Sequence, residues 1–211
     1  DINPLFADEK GVLALDARIK VAPPKRPGAS RLAIRPYPKR LEERASLRDG
    51  TEYLVRPIRP EDEPAVQRAF ERMAPEDLRL RFQAPTTELS HTAAARLTQI
   101  DYDRDMGLVA VASPFRGPAA EIHGGVRISA DPDGQTAECW LTVLSGVQRH
   151  GLGHLLMSRI LAYARHRGIG EIHGKVLQEN QGMLALCHDL GFSQTESVGE
   201  PGVVEVRLTL S

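Results

Sequence analysis

Six consecutive residues, Gln148-Arg149-His150-Gly151-Leu152-Gly153, combine groups that can grip a doubly charged anion. They follow an apolar stretch ending at Val143-Leu144 and open a run with helical periodicity from Leu152 onward. A pyrophosphate needs several backbone N–H donors converging on it, and a helix N-terminus offers them with the positive end of its dipole. Glycine at Gly151 and Gly153 lets the backbone take unusual dihedrals and approach a ligand with no Cβ in the way. Arg149, His150 and His154 can add charge or donors. Two glycines alone do not decide the matter, because a tight strand-to-helix turn with no ligand uses the same residues. The P-loop pattern is absent, and a dinucleotide fingerprint needs a third glycine where Leu156 stands. Glu171 has the spacing of a ribose-binding acid, yet only about sixty residues follow the loop, too few for a full doubly wound sheet.

Such a loop needs a strand in front of it and a helix behind it. The run Thr136–Leu144 supplies the strand; its alternation sets Glu138, Trp140 and Thr142 on one face and Cys139, Leu141 and Val143 on the other. Leu155, Leu156, Ile160, Tyr163 and Ala164 give one face of a helix over Leu152–Arg167. A strand over Glu171–Leu177 and a helix over Gln181–Leu190 follow, the latter stopped by Gly191. Two short strands, Phe192–Glu196 and Val203–Leu208, complete the chain. Upstream, Tyr53–Ile58 reads as a strand with an edge-type proline, and Ala65, Val66, Ala69, Phe70 and Met73 recur at helical spacing. Pro75-Glu76-Asp77 opens a second helix and Ser90 caps a third through Leu97. Strands are expected at Gly107–Ala112 and Ile122–Ser129.

Composition bounds the function. The chain has 211 residues, 41% hydrophobic and 26% charged, with a formal net charge of -1. That balance argues against a general nucleic-acid binder, which needs a basic footprint. Two well-separated cysteines, Cys139 and Cys187, fit a reducing, cytoplasmic setting, and no apolar run approaches a membrane span. The seven histidines show no metal-ligand spacing, so no metal is expected; His123 and His173 fall in strands, where core or surface roles are the default. The opening at Asp1 suggests a piece of a longer polypeptide. Residues 1–20 hold two candidate strands, Asp1–Leu5 and Val12–Ile19, too little to stand alone. Residues 21–50 read as a Pro-rich basic linker, with twelve Lys/Arg against four acids between Ala17 and Arg59; it is either a solvated tether or a dock for an acidic neighbour. Residues 51–211 read as one α/β domain.

Gln148–Gly153 matches the coenzyme A signature Gln/Arg-x-x-Gly-x-Gly/Ala, and the order of elements from Thr51 to Leu210 resembles the GNAT acetyltransferase superfamily. The resemblance implies an α/β (α+β) fold with a mixed, mostly antiparallel central sheet flanked by helices. It implies acetyl-CoA as cosubstrate, with the main chain of Leu141, Thr142 and Val143 on the pantetheine arm and Gln148, Arg149, His150, Gly151, Leu152, Gly153 and His154 around the pyrophosphate. Asn180 matches the residue near the thioester. Arg56-Pro57-Ile58-Arg59-Pro60-Glu61-Asp62 and Pro75-Glu76-Asp77-Leu78-Arg79-Leu80-Arg81-Phe82 are similar to bacterial protein lysine acetyltransferases in which this domain follows an ADP-forming acyl-CoA synthetase. Residues 1–20 resemble the end of an ATP-grasp ligase domain, where Asn3 and Asp16 would lie near a nucleotide-bound Mg²⁺; without the rest of that ligase they should bind nothing.

Amide formation from a thioester needs a neutral amine, and a lysine ammonium, pKa about 10.4, must first lose a proton. Glu138, ten residues before Gln148, is the expected catalytic base, with Glu179 as a second candidate and a surface strand glutamate as the plain alternative. The strand amide near Val143 is the expected oxyanion donor. Many members of the superfamily place a tyrosine seven residues after the asparagine to protonate the leaving thiolate; here that position is Cys187, on an apolar helix face, which reads first as packing. Three functions stay open: acetylation of lysines on metabolic proteins, non-catalytic acyl-CoA sensing for a fused ligase, and acetylation of small amines.

Overall fold

The computed structural model describes residues 1–21, 35–82, 89–115, 117, 120–197 and 199–210. It divides into two units, Asp1–Ala33 and Ile34–Ser211. In the first, β1 (Leu5–Asp8) and β2 (Gly11–Ala14) form an antiparallel hairpin. The Asp8 carboxylate accepts from the backbone N–H groups of Lys10 and Gly11 at 2.7 and 3.0 Å, which fixes the turn. The hairpin therefore starts at Leu5, where the sequence placed a strand end, and an isolated bridge, Ile2↔Ala17, extends it. Leu5, Phe6, Val12 and Leu13 are all exposed. Residues 22–34, with the linker prolines Pro23, Pro24 and Pro27, lie outside the described residues.

The second unit runs β3 (Glu43–Ser46), β4 (Glu52–Pro57), α1 (Glu63–Glu71), α2 (Pro75–Phe82), α3 (His91–Thr98), β5 (Asp105–Ala112), β6 (Ile122–Ala130), β7 (Thr136–Val143), α4 (Leu152–Arg167), β8 (Glu171–Leu177), α5 (Gln181–Asp189), β9 (Ser193–Glu196) and β10 (Val203–Thr209). Its eight strands are ordered β3-β4-β5-β6-β7-β8-β10-β9. All the paired neighbours are antiparallel except β7 and β8. The mixed, mostly antiparallel sheet flanked by helices is the architecture expected from the sequence.

The linker boundary needs correction. Glu43–Ser46 pairs with β4 from Glu43↔Val55 to Ser46↔Glu52, so the sheet begins well before Thr51. β3 ends short of Arg56 and Pro57, which explains the proline: it closes β4 where no outer strand needs its missing N–H.

Alternation splits the core between the sheet's faces. Met106, Leu108, Ala110, Val126, Ile128 and Ala137 pack with Leu152, Leu156, Met157 and Ile160 of α4. Ile58, Val109, Val111 and Ile122 pack on the other side with Ala65, Val66 and Ala69 of α1. Arg56 and Asp62 join β4 to the start of α1 through two bonds of 2.7 and 2.6 Å, both side chains under one-tenth exposed. Ser90 accepts from the Ala93 N–H at 3.2 Å, capping α3 as its type suggests.

Candidate active site

The site forms where β7 and β8 come apart. They pair at Thr136↔Glu171, Ala137↔Ile172 and Glu138↔His173, and no further, while β7 stays paired with β6 along its whole length. The Leu144 N–H donates to the His123 carbonyl and the Asp131 N–H to the Thr136 carbonyl, each at 2.9 Å. Even-numbered residues of β7 thus direct their backbone groups to β6, and Leu141 and Val143 direct theirs into the opening. A Cβ on Gly174 would lie 3.0 Å from the Cys139 carbonyl oxygen, so glycine lets β8 run this close just past the last pair. The opening holds a cavity of about 110 Å³ lined by Cys139, Trp140, Leu141, His173, Asn180 and Cys187, with Leu80 of α2 also bordering it.

The Gln148–Gly153 turn stands at the wide end of this opening. Gly151 is the N-cap of α4 with φ of 92°, and Arg149 has φ of 65°. Left-handed residues in such a turn can bring neighbouring N–H groups to one side, as anion-binding concavities require. A Cβ built on Gly151 meets nothing within 4 Å, so its outer side is open. Gly153 serves differently from the sequence expectation: its φ is not in the left-handed region, and a Cβ there would sit 3.4 Å from both Leu141 and Leu186. It lets α4 pack against β7 and α5.

Leu152 is 1% exposed, so only its backbone can face a ligand. Gln148 donates from Nε2 to the Val143 carbonyl at 3.0 Å, tying the turn to the strand end. His150 Nδ1 lies 3.0 Å from the Asp49 carboxylate; the Thr51 backbone N–H, its side chain and then His150 hold Asp49 below the usual carboxylate range. His154 is exposed and lies 3.3 Å from the Ser158 hydroxyl. The first turn of α4 carries no acid that would repel an anion.

At the narrow end, Cys139 Sγ lies 3.8 Å from Met157 Sδ of α4, which fixes the odd-numbered face. Glu138, Trp140 and Thr142 therefore face the α1 side, and Glu138 is half-buried at the last paired position. Asn180 caps α5, its side-chain oxygen accepting from the Met183 N–H at 3.1 Å; its NH₂ group is not used by that cap. Glu179 is engaged otherwise: Arg79 of α2 lies 2.6 Å away and holds it below the usual range, making it a weaker base. Cys187 is fully buried and burial pushes its thiol up to about 11. Strand rise puts Val143 about 16 Å along β7 from Glu138. Leu141, whose N–H also points into the opening, is about 10 Å from Glu138 by the same measure. His173, which the sequence gave no reason to single out, stands beside Glu138.

The Acetyltransferase (GNAT) family model matches residues 71–192, which span the turn, the opening and Glu138. The chain belongs to this family. It is similar to Acetyltransferase PA5475 of Pseudomonas aeruginosa, 31% identical over 165 residues, covering 78% of this chain and 88% of that one. It is also similar to the crystal structure of the GNAT domain of S. lividans PAT, with 31% identity and a TM-score of 0.74, covering 83% of this chain and all of that one. The fold extends to yncA of Salmonella typhimurium, solved with its cofactor acetyl-CoA, at 18% identity and a TM-score of 0.60, over 75% of this chain and 94% of that one. GNAT acetyltransferases use acetyl-CoA as acyl donor, and this chain is one of them. The opening has outward main-chain groups on one wall and the glycine turn at its wide end.

Proposed function

We propose that the chain acetylates lysine side chains of proteins by direct transfer, with Glu138 as general base. The observation that carries this reading is the position of Glu138 at the point where β7 and β8 separate, on the face away from α4. In this reading the Leu141, Thr142 and Val143 segment lies along the pantetheine arm. Gln148 to His154 hold the pyrophosphate through the amides of Gly151 and its neighbours, and the Asn180 NH₂ meets the thioester end. Glu138 takes a proton from the lysine ammonium, directly or through water, and the amine attacks the thioester carbonyl. The Leu141 N–H offers a hydrogen bond to the oxyanion. The preference for proteins over small amines, and for metabolic proteins among them, rests on the resemblance of Pro75–Phe82 and of Arg56–Asp62 to protein lysine acetyltransferases. An ATP-grasp neighbour on the N-terminal side belongs to the same proposal; the exposed apolar side chains of the hairpin are consistent with such a partner sheet.

The test is transfer of labelled acetyl groups from acetyl-CoA to a panel of purified metabolic enzymes and to small polyamines, with intact-mass detection. Modified lysines that disappear with Glu138→Gln support the reading. Binding of acetyl-CoA with no acceptor ever modified moves the chain to the sensing role, and modification confined to polyamines moves it to the small-amine role.

A further inference from the structure

His173 is an imidazole at the narrow end of the opening that the transfer described so far leaves unused. It is the register partner of Glu138 on the adjacent parallel strand. Paired residues of neighbouring strands carry their side chains on the same face, with backbones about 4.8 Å apart. Its imidazole also lines the cavity shared with Cys139, Asn180 and Cys187. Its Nδ1 is shut off from solvent and has no hydrogen-bond partner among the described residues. A buried polar atom without a partner costs on the order of 1–3 kcal/mol, and such atoms are rare enough to call for an explanation. The charged groups around it are Glu138 on β7, Glu171 and Lys175 on its own strand, and Glu205 and Arg207 on β10, where Arg207 is its direct register partner. Arg207 is taken up by Glu171 and Glu205, and Lys175 by Glu200.

We propose that His173 is a second proton-carrying residue of acetyl transfer, delivering a proton to the departing sulfur of coenzyme A. The proposal rests on the placement of the thioester in this opening. The proton inventory gives such a group two tasks. Glu138 removes one proton from the ammonium. The amine attacks, the C–N bond forms and the nitrogen of the tetrahedral adduct is left positive. Neutral imidazole takes that second proton; as the C–S bond breaks, the imidazolium returns it to the thiolate. The products are the amide, the thiol and a protonated Glu138 that releases its proton to solvent. Cys187 is poorly suited to this exchange, since its buried thiol holds its proton up to about 11 and has apolar surroundings. An imidazole both accepts and donates near neutral pH.

The experiment is ¹⁵N NMR of the whole chain, following the His173 ring nitrogens and the Gly151 and Gly153 amides on addition of coenzyme A or of desulfo-coenzyme A, which lacks the sulfur. The expected result is that both cofactors move the loop amides, while only coenzyme A moves the His173 ring nitrogens. Equal responses of His173 to both, or none to either while the loop amides move, overturn the proposal. If the loop amides respond to neither, the cofactor placement itself is overturned and this proposal goes with it. His173→Gln assigns the resonance, and any loss of fold in that variant leaves the wild-type titration decisive.

Discussion

Glu138 and His173 form the last residue pair of the parallel β7–β8 seam, and beyond them the two strands diverge around a cavity. This pairing sets Glu138 at the apex of the opening on an ordered strand. Removing its basicity without changing its size should therefore affect chemistry and spare binding. Glu138→Gln is expected to lower kcat by about 10²–10⁴-fold, with the Kd for coenzyme A within twofold of wild type. Steady-state kinetics and calorimetry check the two parts separately.

The turn before α4 makes the opposite prediction. Gly151 combines a left-handed φ of 92° with an open outer side. Gly151→Asp adds both backbone strain and a negative charge at the helix N-terminus where the pyrophosphate is proposed to sit. Coenzyme A affinity should fall by at least about tenfold, in keeping with about 1.4 kcal/mol or more of lost binding. An unchanged Kd by calorimetry would place the cofactor elsewhere.

Trp140 lines the strand opening and also an apolar cavity of about 150 Å³ bordered by Phe70, Met73, Leu97 and Val109. Trp140 thus borders both spaces. Trp140→Ala should join them and admit longer acyl chains, raising the ratio of kcat/KM for hexanoyl-CoA over acetyl-CoA by at least about tenfold, the scale that one or more accommodated methylenes supports.

The Arg56–Asp62 pair is buried and bidentate. Asp62 also accepts from the Arg59 N–H at 2.8 Å. Asp62→Asn leaves the Arg56 charge uncompensated under α1, and urea denaturation should show a loss of about 3–5 kcal/mol. A loss below 1 kcal/mol would mean that water reaches the guanidinium.

Cys187 gives a pH signature. Its thiol is raised from the ordinary 9.0 to about 11 because burial disfavours the thiolate. The folded state therefore holds this proton more tightly than the unfolded chain does. Its contribution to stability is complete below pH 9 and is lost as pH rises from about 9 through 11. Denaturation midpoints across that range should slope down in wild type and less so in Cys187→Ala. At pH 8 roughly one thiol in a thousand is ionised, so alkylation of Cys187 in the native protein should be slow.

The elements that carry strong periodicity were legible before the structure. Alternation marked β6 and β7, the 3.6-residue spacing marked α4, and Ser90 and Gly191 marked helix ends in the way their side chains and backbone freedom require. The glycine turn and Glu138 were visible as residue types at a spacing. Four features were not. Glu43–Ser46 has a single apolar residue and no alternation, so nothing local distinguishes it from the linker; only its pairing with β4 makes it a strand. The packing duty of Gly153 depends on Leu141 and Leu186, distant neighbours that no local pattern names. The engagement of Glu179 by Arg79 is a long-range ion pair of the same kind. The meeting of Glu138 with His173 depends on a parallel register, and a lone histidine in a strand carries no spacing signal.

The seam of three residue pairs between β7 and β8 has a mechanical meaning. It is the narrowest join between two leaves of the sheet, β3 to β7 on one side and β8, β10 and β9 on the other. A molecule lying in the opening would touch both leaves at once, and would act as a binding thread through the spine of a book otherwise held at one end. The C-terminal leaf should then respond to coenzyme A as a unit. Its amides should exchange with deuterium more slowly across all three strands, including residues of β9 and β10 that do not line the cavity.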